Sequence, residues 1–369
     1  MGTQLVASRI QATAVALPEA GPALLAGWSG LAERCAVAAT AQPAFLKLWA
    51  QTRLRTDETA QLVVAHEGDQ LVGVLPVMIG PSRLGGFRLR AVQHLGRNAY
   101  VPGVHALILS SDHPVASEVA NALARATLQL PNWDLVHLNS LPADGLFARE
   151  LAREAARLGA SSLPSVTEFG VRVDLSGGWD GIVQSSNRNR SRQLKKLVQR
   201  FTSEDWSARE YSRLAGLEQG IDQCFQVADQ SWQGEQGTSI ANDPAAREFY
   251  RRLASEAAQR GELSLWILSK AAQPVAYLYC IVIGQTAYAL KTGFVPEHRL
   301  VGPGVLVHGA AFREFATRGI TAVQLFHPPS EDKRRWGPAL DPHDGVRILA
   351  PSFKGRLLGL AERLRRLGS

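Results

Sequence analysis

The sequence predicts an α+β chain, mixed α/β in its layering, with mostly antiparallel sheets flanked by helices and one plan used twice. Two stretches, "LVVAHEGDQLVGVLPV" (62–77) and "LWILSKAAQPVAYLYC" (265–280), align without a gap. Each reads as an apolar strand, a short polar turn and a second apolar strand. The elements that follow the two hairpins come in the same order, and a helix precedes each.

In the first half, "AFLKLWAQTR" reads as the leading helix. Within the hairpins, Gln70, Val72 and Leu75 match Gln273, Val275 and Leu278, while Gly73 falls opposite Ala276. A strand "RLRAVQHLG", a helical stretch over 115–130 and a strand "WDLVHLNSLP" follow. In the second half the leading helix is "AAREFYRRLASEAAQR". The strand "TAYALKTGF", a helical stretch over 304–318 and the strand "TAVQLFHPP" follow its hairpin. Any two hairpins look somewhat alike, but a shared sequel argues for internal duplication. Small residues and Pro164 in "GASSLPSVTEF" break the helical pattern and set the boundary near 160–168. The expected units are residues 1–165, residues 166–350 and a basic amphipathic segment, 351–369. A doubly wound dinucleotide fold would need repeated strand–helix–strand units, which the pattern lacks.

The length of 369 residues allows two domains with cores of their own, and 46% hydrophobic with 20% charged residues suits a globular chain. No apolar run reaches the roughly 18 residues that span a bilayer. The start, "MGTQLVASRIQATAVALPEAG", lacks the basic-then-apolar layout of a secretory signal. Cys35, Cys224 and Cys280 show no metal or redox spacing, so a reducing cytoplasm and no metal are expected. A net charge of +7 favours phosphates, an anionic cofactor or an anionic membrane face. No nucleic-acid-binding signature accompanies that charge.

Residues 299–304 place Arg299, Leu300, Val301, Gly302, Pro303 and Gly304 between a strand pattern and a helix pattern. A glycine-rich turn opening a helix exposes backbone N–H groups at the positive end of the helix dipole, an arrangement suited to phosphate. Glycine lets the backbone approach closely, Arg299 adds a charge-assisted contact, and Pro303 stiffens the loop. The competing reading is an ordinary turn. A dinucleotide G-x-G-x-x-G fails, because Val307 stands where the third glycine belongs.

In element order and in this hexamer the chain resembles the GNAT acyltransferases, whose R/Q-x-x-G-x-G/A loop holds the pyrophosphate of coenzyme A. Arg299, Gly302 and Gly304 fit that loop position for position, and Val305 closes it. "SNRNRSRQLKKL", "DQSWQGEQGTSI", "GELSLWILSKAAQPVAYLY", "LKTGFVPEHRLVGPG" and "EDKRRWG" resemble the cellulose-biosynthesis-associated (CelD/BcsL-type) acetyltransferase branch. That branch is related to the FemAB-like tandem-GNAT aminoacyl transferases, which suits the duplication. The resemblance covers roughly residues 40 to 340. It departs in the last strand, where Gln324 replaces an acid and Pro328 a glycine, and where Asp332 precedes Lys333. It implies tandem GNAT-like domains, the second binding acetyl-CoA or acyl-CoA as a substrate. The first copy's "HLGRNAYVPG" lacks the hexamer and is expected to bind none.

Acyl transfer to an amine needs a base and a dipole for the thioester oxyanion. His327, just past the last strand, is the candidate base, against a backbone-satisfied loop histidine. Lys291 lies mid-strand, a costly place for an ammonium without a partner or ligand. Lys333 could bind an anionic substrate group or pair with Glu331. Trp232 could wall the acceptor pocket or simply fill core. The basic stretch 188–200 reads by default as a solvated face, with a polyanionic or membrane-bound acceptor as the sharper reading. In 351–369, Phe353, Leu357, Leu360, Leu364 and Leu367 form one stripe, expected to dock on the protein itself. Contact with a membrane surface is the second reading. The leading functional expectation is acyl-CoA-dependent N-acyl transfer to an envelope or exopolysaccharide sugar, or to a lipid amine. The rivals are FemAB-like transfer from aminoacyl-tRNA and a degenerate scaffold of polysaccharide machinery.

Overall fold

The computed structural model describes residues 9–35, 37–96, 108–109, 115–142, 145–164, 168–185, 189, 191–192, 194–196, 205–231, 234, 239–326, 330–337 and 339–367. The chain forms two compact units, one of residues 1–97, 103–168 and 342–369, the other of 98–102 and 169–341.

The first unit opens with β1 (Ile10–Ala16), α1 (Pro22–Arg34), α2 (Pro43–Arg53), β2 (Thr59–Glu67), β3 (Gln70–Leu84) and β4 (Phe87–His94). Gly85 and Gly86, at φ 53° and 85°, turn β3 into β4 in a conformation open to glycine without steric cost. It continues with β5 (Ile108–Leu109), α3 (Ala116–Leu128), β6 (Leu135–Pro142), α4 (Leu146–Arg157) and β7 (Ser161–Leu163). Strands β1 to β4 pair antiparallel in succession, and β4 pairs β6 in parallel across α3. Val63, Val72 and Val136 of the sheet meet Val119 and Leu123 of α3 in its core.

The second unit holds β8 (Glu168–Asp174), α5 (Gly178–Ser185), β9 (Trp206–Tyr211), α6 (Leu217–Gln230), α7 (Pro244–Gln259), β10 (Leu263–Lys270) and β11 (Gln273–Ile283). After these come β12 (Thr286–Phe294), α8 (Pro303–Thr317), β13 (Ala322–Gln324) and the short α9 (Glu331–Arg334). Its strands lie in the order β9-β10-β11-β12-β13-β8, all antiparallel except β12 with β13, which α8 connects. Alternation sorts the two faces of β11. Leu278 and Cys280 pack with Val307 and Phe312 of α8. Tyr279 points the other way, its hydroxyl donating to the Tyr250 carbonyl of α7 at 3.1 Å.

The pairing in the second unit repeats that of the first, β9 to β13 standing for β1, β2, β3, β4 and β6. A finer feature repeats as well. Ala65 pairs Gly73 and His66 pairs Leu71, while Leu268 pairs Ala276 and Ser269 pairs Pro274. The residues passed over, Val72 and Val275, are the two aligned from sequence. Bulges are fixed local features of a strand pair, so a shared bulge carries more weight than a shared hairpin.

The chain ends its described course with β14 (Ala339–Leu349) and α10 (Phe353–Leu367). Strand β14 pairs β6 and β7, so residues 342–350 fall in the first unit and not with the second half. The expectation that the apolar stripe of 351–369 docks on the protein does not hold. Phe353, Leu357, Leu360 and Leu364 are 78%, 51%, 55% and 59% exposed, while Gly355, Leu358, Gly359 and Glu362 are buried. A Cβ added at Gly359 would lie 3.3 Å from Ser161, so α10 is seated through Gly355 and Gly359, with Leu358 and Glu362 beside them. The exposed four point away. The side chain of Leu367 lies outside the described residues, as does most of 188–200. Among the described residues no helix is long and apolar enough to cross a membrane.

Helix α6 is set close to β9. A Cβ added at Gly220 would stand 2.5 Å from the buried Tyr211 ring, whose hydroxyl donates to Gln223 at 3.0 Å. Gly220→Val is expected to cost about 1–3 kcal/mol of unfolding free energy through overpacking. Urea denaturation reads this, and an unchanged midpoint would mean the helix is not seated as described.

Candidate active site

Strand β12 is paired on one side for only a third of its length. Thr286, Ala287 and Tyr288 match Ala322, Val323 and Gln324 of β13. Beyond that point the chain stays with β8: Leu325 N–H donates to the Val171 carbonyl at 2.8 Å, and Val171 N–H to the Phe326 carbonyl at 3.4 Å. Residues 289–294 therefore have no described strand beside them on the β13 side. An extended ligand can bond to such an edge as an added strand would.

A bulge decides what faces this opening. Tyr288 pairs Ile281, Ala289 pairs Cys280 and Lys291 pairs Tyr279, leaving Leu290 over. In a regular strand Tyr288 and Lys291, three apart, would point to opposite faces. Ile281 and Tyr279 share a face, so the bulge brings Tyr288 and Lys291 onto that face too. Arg172 and Gln324, in register with Tyr288 across β8 and β13, complete the row. It lies opposite the face covered by α8, where Ala287, Val323 and Val173 are buried.

Lys333 of α9 reaches the same place. Its Nζ donates to the Phe326 carbonyl at 3.4 Å, and the Phe326 ring lies 6.2 Å from that of Tyr288. Phe326 is buried at φ 54°, a left-handed conformation that strains a bulky residue. Burial, then the positive charge of Lys333, brings the Lys291 ammonium down to about 8. Burial alone brings Lys333 down to about 8. The Tyr288 phenol is pushed up by burial, with Arg172 and Thr286 opposing, and stays protonated at neutral pH.

At the far end of β12 the chain makes a 3-10 turn, Pro296–Val301, and enters α8 through Gly302 at φ 74° and ψ 52°. Gly302 N–H donates to the Arg299 carbonyl at 3.1 Å, and the Gly302 carbonyl accepts from Val305 and Leu306 at 2.9 and 3.1 Å. Pro303 has no N–H, so Gly304 carries the first amide at this terminus without a helical acceptor. Arg299 and Leu300 are exposed, Val301, Gly304 and Val305 half-buried, and Pro303 buried. A Cβ on Gly304 would meet Phe294 at 3.7 Å, an ordinary contact. The protein's own packing does not require glycine there. One turn on, His308 Nδ1 lies 2.7 Å from the Gly304 carbonyl, and its ring stacks on Trp336 at 6.0 Å.

The structure thus brings Lys291 and Lys333 together and puts Arg299 to Val305 at the helix entry following the same strand. His327 and Trp232 lie outside the described residues. Among the described residues no group of three His, Cys, Asp or Glu could hold a metal. Sequence reasoning missed Tyr288 and Phe326. A tyrosine three residues from Lys291 gives no sign of a shared face unless the bulge is known.

Residues 187–334 match the model of the acetyltransferase (GNAT) domain family. The second unit carries a GNAT acetyltransferase domain. This is the fold of an N-acyltransferase enzyme, and it implies acyl-CoA as the acyl donor. No curated protein matches the chain in sequence. Among solved structures FemX is similar, at a TM-score of 0.54 and 12% identity over 82% of this chain and 94% of that one. So is a protein named as the C-terminal domain of a lysylphosphatidylglycerol synthetase from Agrobacterium fabrum (TM-score 0.53, 9% identity, 92% and 95% coverage). A tandem GNAT protein from the clavulanic acid pathway covers 92% of this chain and 97% of its own at 14% identity and a TM-score of 0.49. At these identities the likeness is one of fold. The mixed α+β arrangement with GNAT character agrees with the sequence reading.

The lysine pair gives a prediction. Lys291 and Lys333, methylated for NMR, should titrate near pH 8, and Lys333→Met should raise the Lys291 value by removing a like charge. Because the folded values lie below the ordinary lysine value of 10.5, the unfolded chain binds more protons between about 8 and 10.5. Stability should rise with pH across that window. Two lysines titrating near 10.5 would place both in open water.

Proposed function

We propose that the chain is an acyl-CoA-dependent N-acyltransferase whose acceptor carries an amino group close to an anionic group. The observation that carries this reading is the open edge of β12 leading to the glycine turn at the entry of α8. Arg299 and the Gly302–Gly304 backbone would hold the pyrophosphate, with Leu300, Val301, Pro303 and Val305 shaping the loop. The exposed Arg299 side chain and the Gly304 amide are the chemistry a phosphate needs. The thioester would run along residues 289–294, where strand amides can steady its carbonyl oxygen.

In the reaction the acceptor nitrogen attacks the thioester carbon, the C–N bond forms and the C–S bond breaks. The nitrogen loses a proton and the departing thiolate gains one. We assign proton removal to His327, directly or through water, and a wall of the acceptor pocket to Trp232. The Tyr288 phenol is a protonated group available to the thiolate. Lys291 and Lys333, converging on one face, suit a phosphate or carboxylate of the acceptor, whose charge would offset their mutual repulsion. An envelope or exopolysaccharide sugar or a lipid amine fits, acted on from the cytoplasmic side. The CelD/BcsL-like sequence stretches support that choice.

Calorimetric titration with acetyl-CoA and a long-chain acyl-CoA tests the donor site. Arg299→Ala should weaken binding roughly tenfold or more, following the worth of about 1.5–3 kcal/mol for a charge-assisted hydrogen bond. Gly304→Val should do worse, since a branched side chain would block the approach that the protein itself leaves open. Unchanged affinity in both variants would reduce the motif to an ordinary turn. His327→Gln should lower turnover far more than coenzyme A affinity and remove a pH dependence near neutrality.

A further inference from the structure

Helix α10 has its side chains arranged the wrong way round for a helix that only packs on its own protein. Its inward face is Gly355, Leu358, Gly359 and Glu362, and its outward face is Phe353, Leu357, Leu360 and Leu364. The outward four recur at i, i+4, i+7 and i+11, one continuous stripe along three turns. A helix stabilised by burial would put glycine outside and leucine inside.

The stripe has a neighbour. Phe87, 56% exposed, sits at the β3–β4 turn and shares a strand face with Leu89, which is clustered with Leu84 and with Leu358 of α10. Lys354 Nζ fastens the two elements, donating to the Arg88 carbonyl at 3.2 Å and to Asp134 at 2.9 Å. A large exposed aromatic ring therefore stands at the margin of the helix. In sequence, residues 353–367 hold five basic residues, Lys354, Arg356, Arg363, Arg365 and Arg366, to one acidic residue, Glu362.

We propose that this face of the first unit, the outer stripe of α10 with Phe87, is a docking surface for an anionic lipid bilayer. Apolar side chains in a row, on a segment with five basic residues to one acidic, suit acyl chains beneath negative headgroups. A second copy of the same face would bring like charges together, which opposes a dimer. The helix rests on the protein through Gly355, Leu358, Gly359 and Glu362, so the outward four are free to enter a lipid surface without unfolding anything. This proposal stands apart from the acyl-transfer reading and makes no use of the second unit.

Vesicle flotation tests it, with phosphatidylcholine alone and with phosphatidylglycerol added. The protein should float with the anionic vesicles, and less so when salt is raised to about 0.5 M, as screening requires. The triple variant Leu357→Ser, Leu360→Ser, Leu364→Ser should lose tenfold or more in partition. It should keep the parent's thermal unfolding and acetyl-CoA affinity, because all three side chains are exposed. Equal partition of parent and variant, indifference to phosphatidylglycerol, or a dimer in sedimentation that the triple variant dissolves would each overturn the proposal.

Discussion

Beyond Tyr288 the backbone of β12 has no described strand on its β13 side. Past Tyr288 its neighbour β13 turns to β8, and six residues have no described strand on that side. A buried N–H or C=O without a partner is costly, so such an edge persists where water or a ligand can bond to it. Much of the site follows from this one parting. Lys291 stands on the open stretch, Tyr288 on the last paired step, and the Gly302 turn at its end. Phe326, held in a left-handed conformation, marks where β13 leaves.

The two copies differ at this step, though their pairing is otherwise alike. In the first unit the parallel contact also covers three residues, Ala91 to Gln93 with Leu135 to His137. There the contact falls at the end of β4, and the described strand runs only to His94. In the second unit it falls at the start of β12, with a further six residues to come. The same short contact thus sits at opposite ends of the two equivalent strands. The repeated pairing supplies the frame, and the position of the parallel contact is where the two copies differ.

Electrostatics then give the slot a sign. Two half-buried lysines face each other and one helix N-terminus closes the far end, so positive potential is concentrated where water is partly excluded. The positive charge of Lys333 adds to burial in holding the Lys291 ammonium below its ordinary range. The Leu290 bulge matters for the same reason, because it swings Lys291 to the face on which Lys333 and Tyr288 lie. Without that one extra residue the ammonium would point toward the α8 face.

The sequence alone determined the repeated order of elements, the two hairpins and their alignment, and the glycine entry to α8. These depend on apolar periodicity and on local turn chemistry, both of which act between residues close in the chain. It also singled out Lys291, since an ammonium inside an apolar strand is unusual, and Lys333, as a cation able to bind an anionic substrate group. Only the tertiary structure decided that the two lysines meet, because they are 42 residues apart and a bulge sets the facing side. It likewise decided the seat of residues 342–350, which pair with a strand two hundred residues upstream. The stripe on α10 shows the limit most plainly. Helical spacing reveals that Phe353, Leu357, Leu360 and Leu364 share a face. Which face meets the protein depends on how closely the helix can approach β7, and the glycines decided that.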